Sequence, residues 1–262
     1  MDDRLNIILS PHLDDAVLSL GGFIATAPER AIVVTIFAGT PDADAAGSWD
    51  RWSRFKTTAE AMRARTAENE AALSLLGVPP ERIVNLAFPD RQYRQDDAAP
   101  AGLQAAIAET VRDLAAHQSG PATVFSPASG WHPDHRAVTD AVIALWKSRA
   151  LGGAEVLLYQ DQPYAYLELR QRSLVPLRFA TFPAMENRHG LAAHPEWLEF
   201  DATRAEKKRQ AADRYKSQFP VIRPLLCKMI ADFARFQARA AGLSARYAEK
   251  AYRLSAPEAP HS

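Results

Sequence analysis

The segment Ile7-Ile8-Leu9-Ser10-Pro11-His12-Leu13-Asp14-Asp15 runs from an apolar stretch straight into one imidazole and two adjacent carboxylates. The apolar part, about residues 5–10, reads as a buried parallel strand, and open parallel sheets bind their ligands just beyond the strand ends. A second cluster, Trp131-His132-Pro133-Asp134-His135, follows another apolar run, Thr123-Val124-Phe125-Ser126-Pro127. Two polar clusters at two strand ends meet only if the strands are near neighbours in one sheet. The rest of the chain is therefore expected to form an α/β fold, a Rossmann-like, mostly parallel sheet flanked by helices, with a less regular C-terminal extension.

Working outward, residues 31–38 (Ala31-Ile32-Val33-Val34-Thr35-Ile36-Phe37-Ala38) are β-branched and apolar on both faces. Such a strand is covered by helices on both sides. Gly21-Gly22 allows close backbone packing after the first cluster. Residues 39–55 form a long polar loop holding Trp49 and Trp52, and loops of that length in compact domains are functional or mobile. Helix signals cover 57–76, stopping at Gly77 with Pro79-Pro80 behind it. A strand over 83–88, a helix over about 101–116 and a strand over 155–160 continue the alternation.

From Asp134 onward, Ala137, Val138, Ala141, Val142, Leu145 and Trp146 share one helical face, which puts His135 in a first turn. Later the alternation weakens. Strands over 178–182 and 197–200, on a possibly antiparallel edge, and helices over 203–217 and 225–242 are expected there. The organisation predicted is a single domain over 1–254 and a disordered tail over 255–262. No glycine-rich dinucleotide fingerprint follows the first strand.

The 262 residues suffice for one large domain with a substantial core. Lys plus Arg and Asp plus Glu balance at 31 each, so the charge argues for neither nucleic acid nor an anionic membrane as partner. The single cysteine, Cys227, cannot make an internal disulfide and is expected in the core. The first apolar run is too short to span a bilayer, and the N-terminal residues given lack the basic region, apolar segment and small-residue cleavage site of a signal peptide. A soluble, cytoplasmic protein with no membrane insertion is the expectation; the oligomeric state is not legible.

His12, Asp14, Asp15, His132, Asp134 and His135 supply three imidazoles and three carboxylates, a mixture that suits zinc-like divalent ions. The outer residues of each cluster, His12 with Asp15 and His132 with His135, are three apart and share one side of a helical turn. A catalytic ion needs about three protein ligands, leaving room for a water; the remaining groups are then free to move protons. Each cluster alone could equally be a cap or a solvated loop.

Pro11-His12-Leu13-Asp14-Asp15 with Gly21-Gly22, and His132-Pro133-Asp134-His135-Arg136-Ala137-Val138, resemble the two signature motifs of the PIG-L/LmbE-like zinc-dependent de-N-acetylases. The likeness continues through Arg65-Thr66-Ala67-Glu68, Pro89-Asp90 and Tyr215-Lys216-Ser217-Gln218. It implies His12, Asp15 and His135 as metal ligands and Asp14 as general base. His132 then stabilises the oxyanion, with Asp134 beside it to orient and charge it. Arg65 and Asp90 match positions that contact sugar hydroxyls or an attached group, although Arg65 could be a solvated or salt-bridged helix residue and Asp90 a turn former. Asp161 and Tyr164, at a strand end, are further substrate-side candidates.

The function implied is removal of the N-acetyl group from an N-acetylglucosamine-type conjugate, with one Zn2+ per chain, Fe2+ being possible. The partner is then a small-molecule amino sugar conjugate. An amidase for longer N-acyl groups, a non-hydrolytic iron(II) enzyme and a binding-only protein are the rival readings. The run Arg204, Lys207, Lys208, Arg209 is expected to be a solvated face.

Overall fold

A computed structural model describes residues 4–41, 46–117, 120–128, 132–166, 189–218 and 223–255. The strand expected over 178–182, and residues 256–262 of the expected tail, lie outside the described residues.

Among the described residues, seven strands form one sheet: β1 (Leu5–Ser10), β2 (Ala31–Thr35), β3 (Ile83–Asn85), β4 (Ala122–Ala128), β5 (Glu155–Gln160), β6 (Ala192–Phe200) and β7 (Tyr247–Ser255). Their order is β3-β2-β1-β4-β5-β7-β6. The first five are parallel; β7 runs antiparallel to β5, and β6 to β7. The mostly parallel sheet inferred above is thus present, and its extension is an antiparallel edge. From β1 the chain moves outward to β2 and β3, then returns to lay β4 on the other side of β1. The sheet therefore reverses direction between β1 and β4, the place where such folds open a ligand crevice. Both polar clusters follow the ends of those two strands.

The helices are α1 (Asp15–Ile24), α2 (Ser48–Trp52), α3 (Thr58–Leu76), α4 (Leu103–Ala116), α5 (Pro133–Lys147), α6 (Ala202–Ala212) and α7 (Arg223–Ala240). Alternation along the strands divides the core in two. Ile7, Leu9, Val34 and Val124 pack with Ile107, Val111, Val138 and Val142 of α4 and α5. Ile8, Val33, Phe125 and Tyr159 face the other way, toward Val17 and Leu20 of α1, Leu73 and Leu76 of α3, and Ala211 of α6. Cys227 is buried beside Leu18 and Ile230, as expected of a core cysteine. The Thr57 hydroxyl accepts from the Glu60 N–H and starts α3, and Gly77, at φ 97°, ends it.

Some elements differ from the sequence reading or were unmarked in it. Residues 15–24 form a full helix that contains Gly21-Gly22, and neighbours occupy the space that side chains there would take. A Cβ on Gly22 would lie 2.3 Å from Phe200 Cζ, and one on Gly21 would lie 2.9 Å from Lys208 Cγ. Gly22→Ala should accordingly destabilise the fold by about 1–3 kcal/mol through overpacking. An unchanged urea midpoint would show that Phe200 gives way freely.

Residues 247–255 form β7, although their polar content masks a strand and Ser255 was assigned to the tail. The cause is Glu249, which is buried and accepts from the Gly22 and Phe23 N–H groups at 2.9 Å each while pairing with Lys208 Nζ at 2.6 Å. Lys208 consequently turns inward from the basic run instead of facing water. Finally, α6 stops at Ala212, short of the 217 expected, and the 39–55 loop contains the one-turn helix α2.

Candidate metal centre

At the end of β1 the backbone is folded back by its own side chains. Ser10 Oγ donates to the His12 carbonyl at 2.6 Å and accepts from the Ala16 N–H at 3.0 Å, while the His12 N–H donates to Asp15 Oδ2 at 2.7 Å. This knot brings the His12 and Asp15 side chains to one point. At the end of β4, His132 caps α5: its Nδ1 accepts the Asp134 N–H at 3.2 Å, and Pro133 follows at the first helical position. Thr139 Oγ1 can donate to the Pro127 carbonyl at 2.7 Å or to that of His135 at 2.8 Å, holding the first turn of α5 against the strand it leaves.

Three donor atoms converge between the two strand ends. His12 Nδ1 lies 3.1 Å from His135 Nε2 and 3.4 Å from Asp15 Oδ2, and His135 Nε2 lies 3.3 Å from the same Asp15 oxygen. A tetrahedral ion bound at ~2.0–2.1 Å separates its ligands by about 3.3 Å, so the triangle has the size of one face of such a site. Each imidazole is also aimed from behind. The His12 Nε2–H donates to Asp134 Oδ2 at 2.9 Å, and the His135 Nδ1–H donates to Asp161 Oδ2 at 2.6 Å. Each ring thereby turns its lone-pair nitrogen into the triangle, the arrangement in which carboxylates hold metal-ligating histidines. The residues fit a divalent ion.

Burial opposes charge on both imidazoles, but Asp90 and Asp134 raise His12, and Asp15 and Asp161 raise His135, so the carboxylates make the triangle a place for positive charge. Burial opposes charge on Asp15, but His135 and His12 outweigh it and hold its carboxyl down at about 2. Asp14 is pushed up to about 7, chiefly by burial and next by the charge of Asp15. It occupies the N-cap position of α1, yet its carboxylate makes no capping bond, which leaves it available for other work. Burial, with His12 and His135 adding to it, pushes His132 down to about 4. Because Nδ1 of His132 accepts a backbone N–H, the proton of the neutral ring sits on Nε2.

Several site residues stand differently from expectation. Asp134, fully buried, directs its carboxylate to His12, to the Arg91 N–H at 2.9 Å and to Arg94 Nη1 at 2.6 Å; toward His132 it offers only its backbone N–H. Asp161, expected on the substrate side, is committed to His135. Arg65 is buried and ion-paired with buried Asp50 at 2.7 Å, with Nη1 3.2 Å from Tyr93 Oη. That guanidinium braces α2 and α3 against the turn over 91–93, which is the salt-bridged alternative given for Arg65 above.

Asp90 fills two roles. It accepts from the Gln92 N–H at 2.9 Å, a turn former's bond, and its carboxylate groups with His12 and Asp134 within 4.8 Å. The Tyr164 ring stands edge-on to His135 at 5.6 Å. Trp49 and Trp52 are 40% and 44% exposed on α2, with ring centroids 4.5 Å apart. Sequence reasoning missed Ser10, Asp50, Tyr93 and Arg94; only Ser10, at a strand end before proline, carried a local turn signal.

A profile of the GlcNAc-PI de-N-acetylase (PIG-L) family matches residues 7–146, which contain both clusters. The chain belongs to the PIG-L family. Over 170 residues it is 29% identical to the 2'-N-acetylparomamine deacetylase of Streptomyces fradiae, a match that covers 61% of this chain and 57% of that protein's length. Among solved structures, the A40926 pseudoaglycone deacetylase superposes with a TM-score of 0.76 at 28% identity, covering 98% of this chain and all (100%) of the other. The zinc-inhibited form of a teicoplanin deacetylase gives 0.73 at 25% identity, again over 98% and 100% of the two chains. All three relatives are named as deacetylases, and the two solved structures share the α/β fold described here. No helix among the described residues of this family member is long and apolar enough to cross a membrane.

Proposed function

We propose that this chain is a zinc-dependent N-deacetylase that hydrolyses the N-acetyl group of an N-acetylglucosamine-type sugar conjugate. The observation carrying the reading is the triangle of His12, Asp15 and His135 donors, with the uncommitted, buried Asp14 one residue from a ligand. The naming of three relatives as deacetylases supports the reaction class, and the zinc-inhibited relative supports an ion of that kind.

His12, Asp15 and His135 would hold the ion. When bound, a divalent cation acidifies a coordinated water and polarises an acyl oxygen. Asp14 takes the proton from the attacking water; its raised pKa suits a group that must accept a proton and then return it. The His132 Nε2–H donates to the oxygen on which negative charge develops. A neutral ring suffices for that donation, so no carboxylate is needed to charge His132, which agrees with Asp134 serving His12 instead. Asp14, now protonated, delivers its proton to the departing amine as the C–N bond breaks. The products are acetate and a free amino sugar.

The test is a panel of N-acetylglucosamine conjugates that differ in aglycone, with longer N-acyl analogues alongside. Equal amounts of acetate and free amine from one or more members are expected. Failure of every member, from protein shown to hold one metal per chain, would rule the deacetylase reading out.

A further inference from the structure

We propose that Arg94 is a positioning residue for the metal centre, acting through Asp134 to fix the direction of His12. Arg94 lies on the loop after β3, outside both sequence clusters, and its side chain is only 10% exposed. Three contacts hold the guanidinium. Nη1 donates to the Pro89 carbonyl at 2.9 Å, the same nitrogen pairs with Asp134 Oδ1 at 2.6 Å, and Cζ stands 5.3 Å over the centre of the Phe37 ring. Phe37 in turn lies 6.0 Å from the His12 ring. The guanidinium is thus braced by the Pro89 carbonyl and the Phe37 ring against one oxygen of a fully buried carboxylate, while the other oxygen receives the His12 Nε2–H and the Arg91 N–H.

A carboxylate can aim an imidazole only as well as it is itself held. Asp134 leaves the first turn of α5, whereas its partners Arg91 and Arg94 come from the loop after β3, on the β1 side of the crevice. The Arg94 contact therefore locks the carboxylate across the crevice, and with it the orientation of the His12 Nδ1 lone pair. Outer partners that touch a ligand directly typically change metal affinity by about 10–100-fold.

This rests on reading His12 as a ligand, and the test is chosen to separate the two claims. Zinc affinity is measured by chelator competition, without substrate, for the wild type, Arg94→Met, Arg94→Lys, Asp134→Asn and the double variant Asp134→Asn/Arg94→Met. Arg94→Met should weaken zinc binding by about 10-fold, the lower end of the range for partners that touch a ligand directly, and Arg94→Lys, which keeps the charge, by less. In the Asp134→Asn background, adding Arg94→Met should cost nothing further, because the path through the carboxylate is already cut.

Should Arg94→Met alone fail to fold, Arg94→Lys takes its place in the comparison with the wild type and, as Asp134→Asn/Arg94→Lys, in the Asp134→Asn background. Zinc bound by Arg94→Met as tightly as by the wild type, or an equal loss in both backgrounds, overturns the proposal. A wild type without zinc affinity overturns the ligand reading and this inference together.

Discussion

Replacing Asp14 by alanine is expected to cut turnover by about 10²–10⁴-fold, the range that general acid–base groups contribute, while metal content stays at the wild-type level. The asymmetry follows from where neighbouring carboxylates point. Consecutive side chains diverge, and here Asp15 directs Oδ2 at both imidazoles and at the His12 N–H, whereas Asp14 caps nothing and is buried. Loss of Asp14 therefore removes a proton acceptor without opening the donor triangle. The check is acetate release alongside elemental analysis of the same preparation. Near-normal turnover in the variant would remove Asp14 from the role assigned to it.

The second large effect is the converse one. Asp15→Ala should lose the metal, and with it all metal-dependent turnover. Its zinc affinity should fall beyond the roughly 10–100-fold that follows from disturbing an outer partner of a ligand. One oxygen, Oδ2, closes two sides of the triangle and also accepts the His12 N–H that folds the strand end back. Its removal takes away a ligand and loosens the loop that presents another. Dialysis followed by metal analysis tests this directly. A variant that retains one metal per chain would show that Asp15 is not a ligand, and the two carboxylates would have to exchange roles.

What the sequence reveals and what it hides follow from the range over which each feature is set. The buried strands β1, β2, β4 and β5 are continuous apolar runs, and α3 and α5 carry their own start and stop signals, so the layout of the parallel half is local information. Meeting of the two clusters was legible as well, because two ligand-bearing strand ends constrain the strand order. Direction was not. Whether Asp134 serves His132 or His12, and whether Asp161 faces substrate or His135, depends on which carboxylate oxygen reaches which ring across the crevice, and no spacing encodes that.

Arg65 shows the same limit. On a helix dense in charge it resembles a surface residue, and only the arrival of buried Asp50 from the 39–55 loop explains its burial. The segments α1 and β7 are hidden for a related reason. Phe200 and Lys208 occupy the space over two helical glycines, and Glu249 is tolerated inside the sheet because Lys208 and two backbone N–H groups meet it.

The most direct measurement is a zinc titration of metal-stripped protein, followed by acetate release from whichever N-acetylglucosamine conjugate the panel identifies. Activity that is absent from the stripped protein and returns in proportion to zinc, saturating at one ion per chain, is the expected result. Acetate release that persists undiminished in protein shown to hold no metal would contradict it.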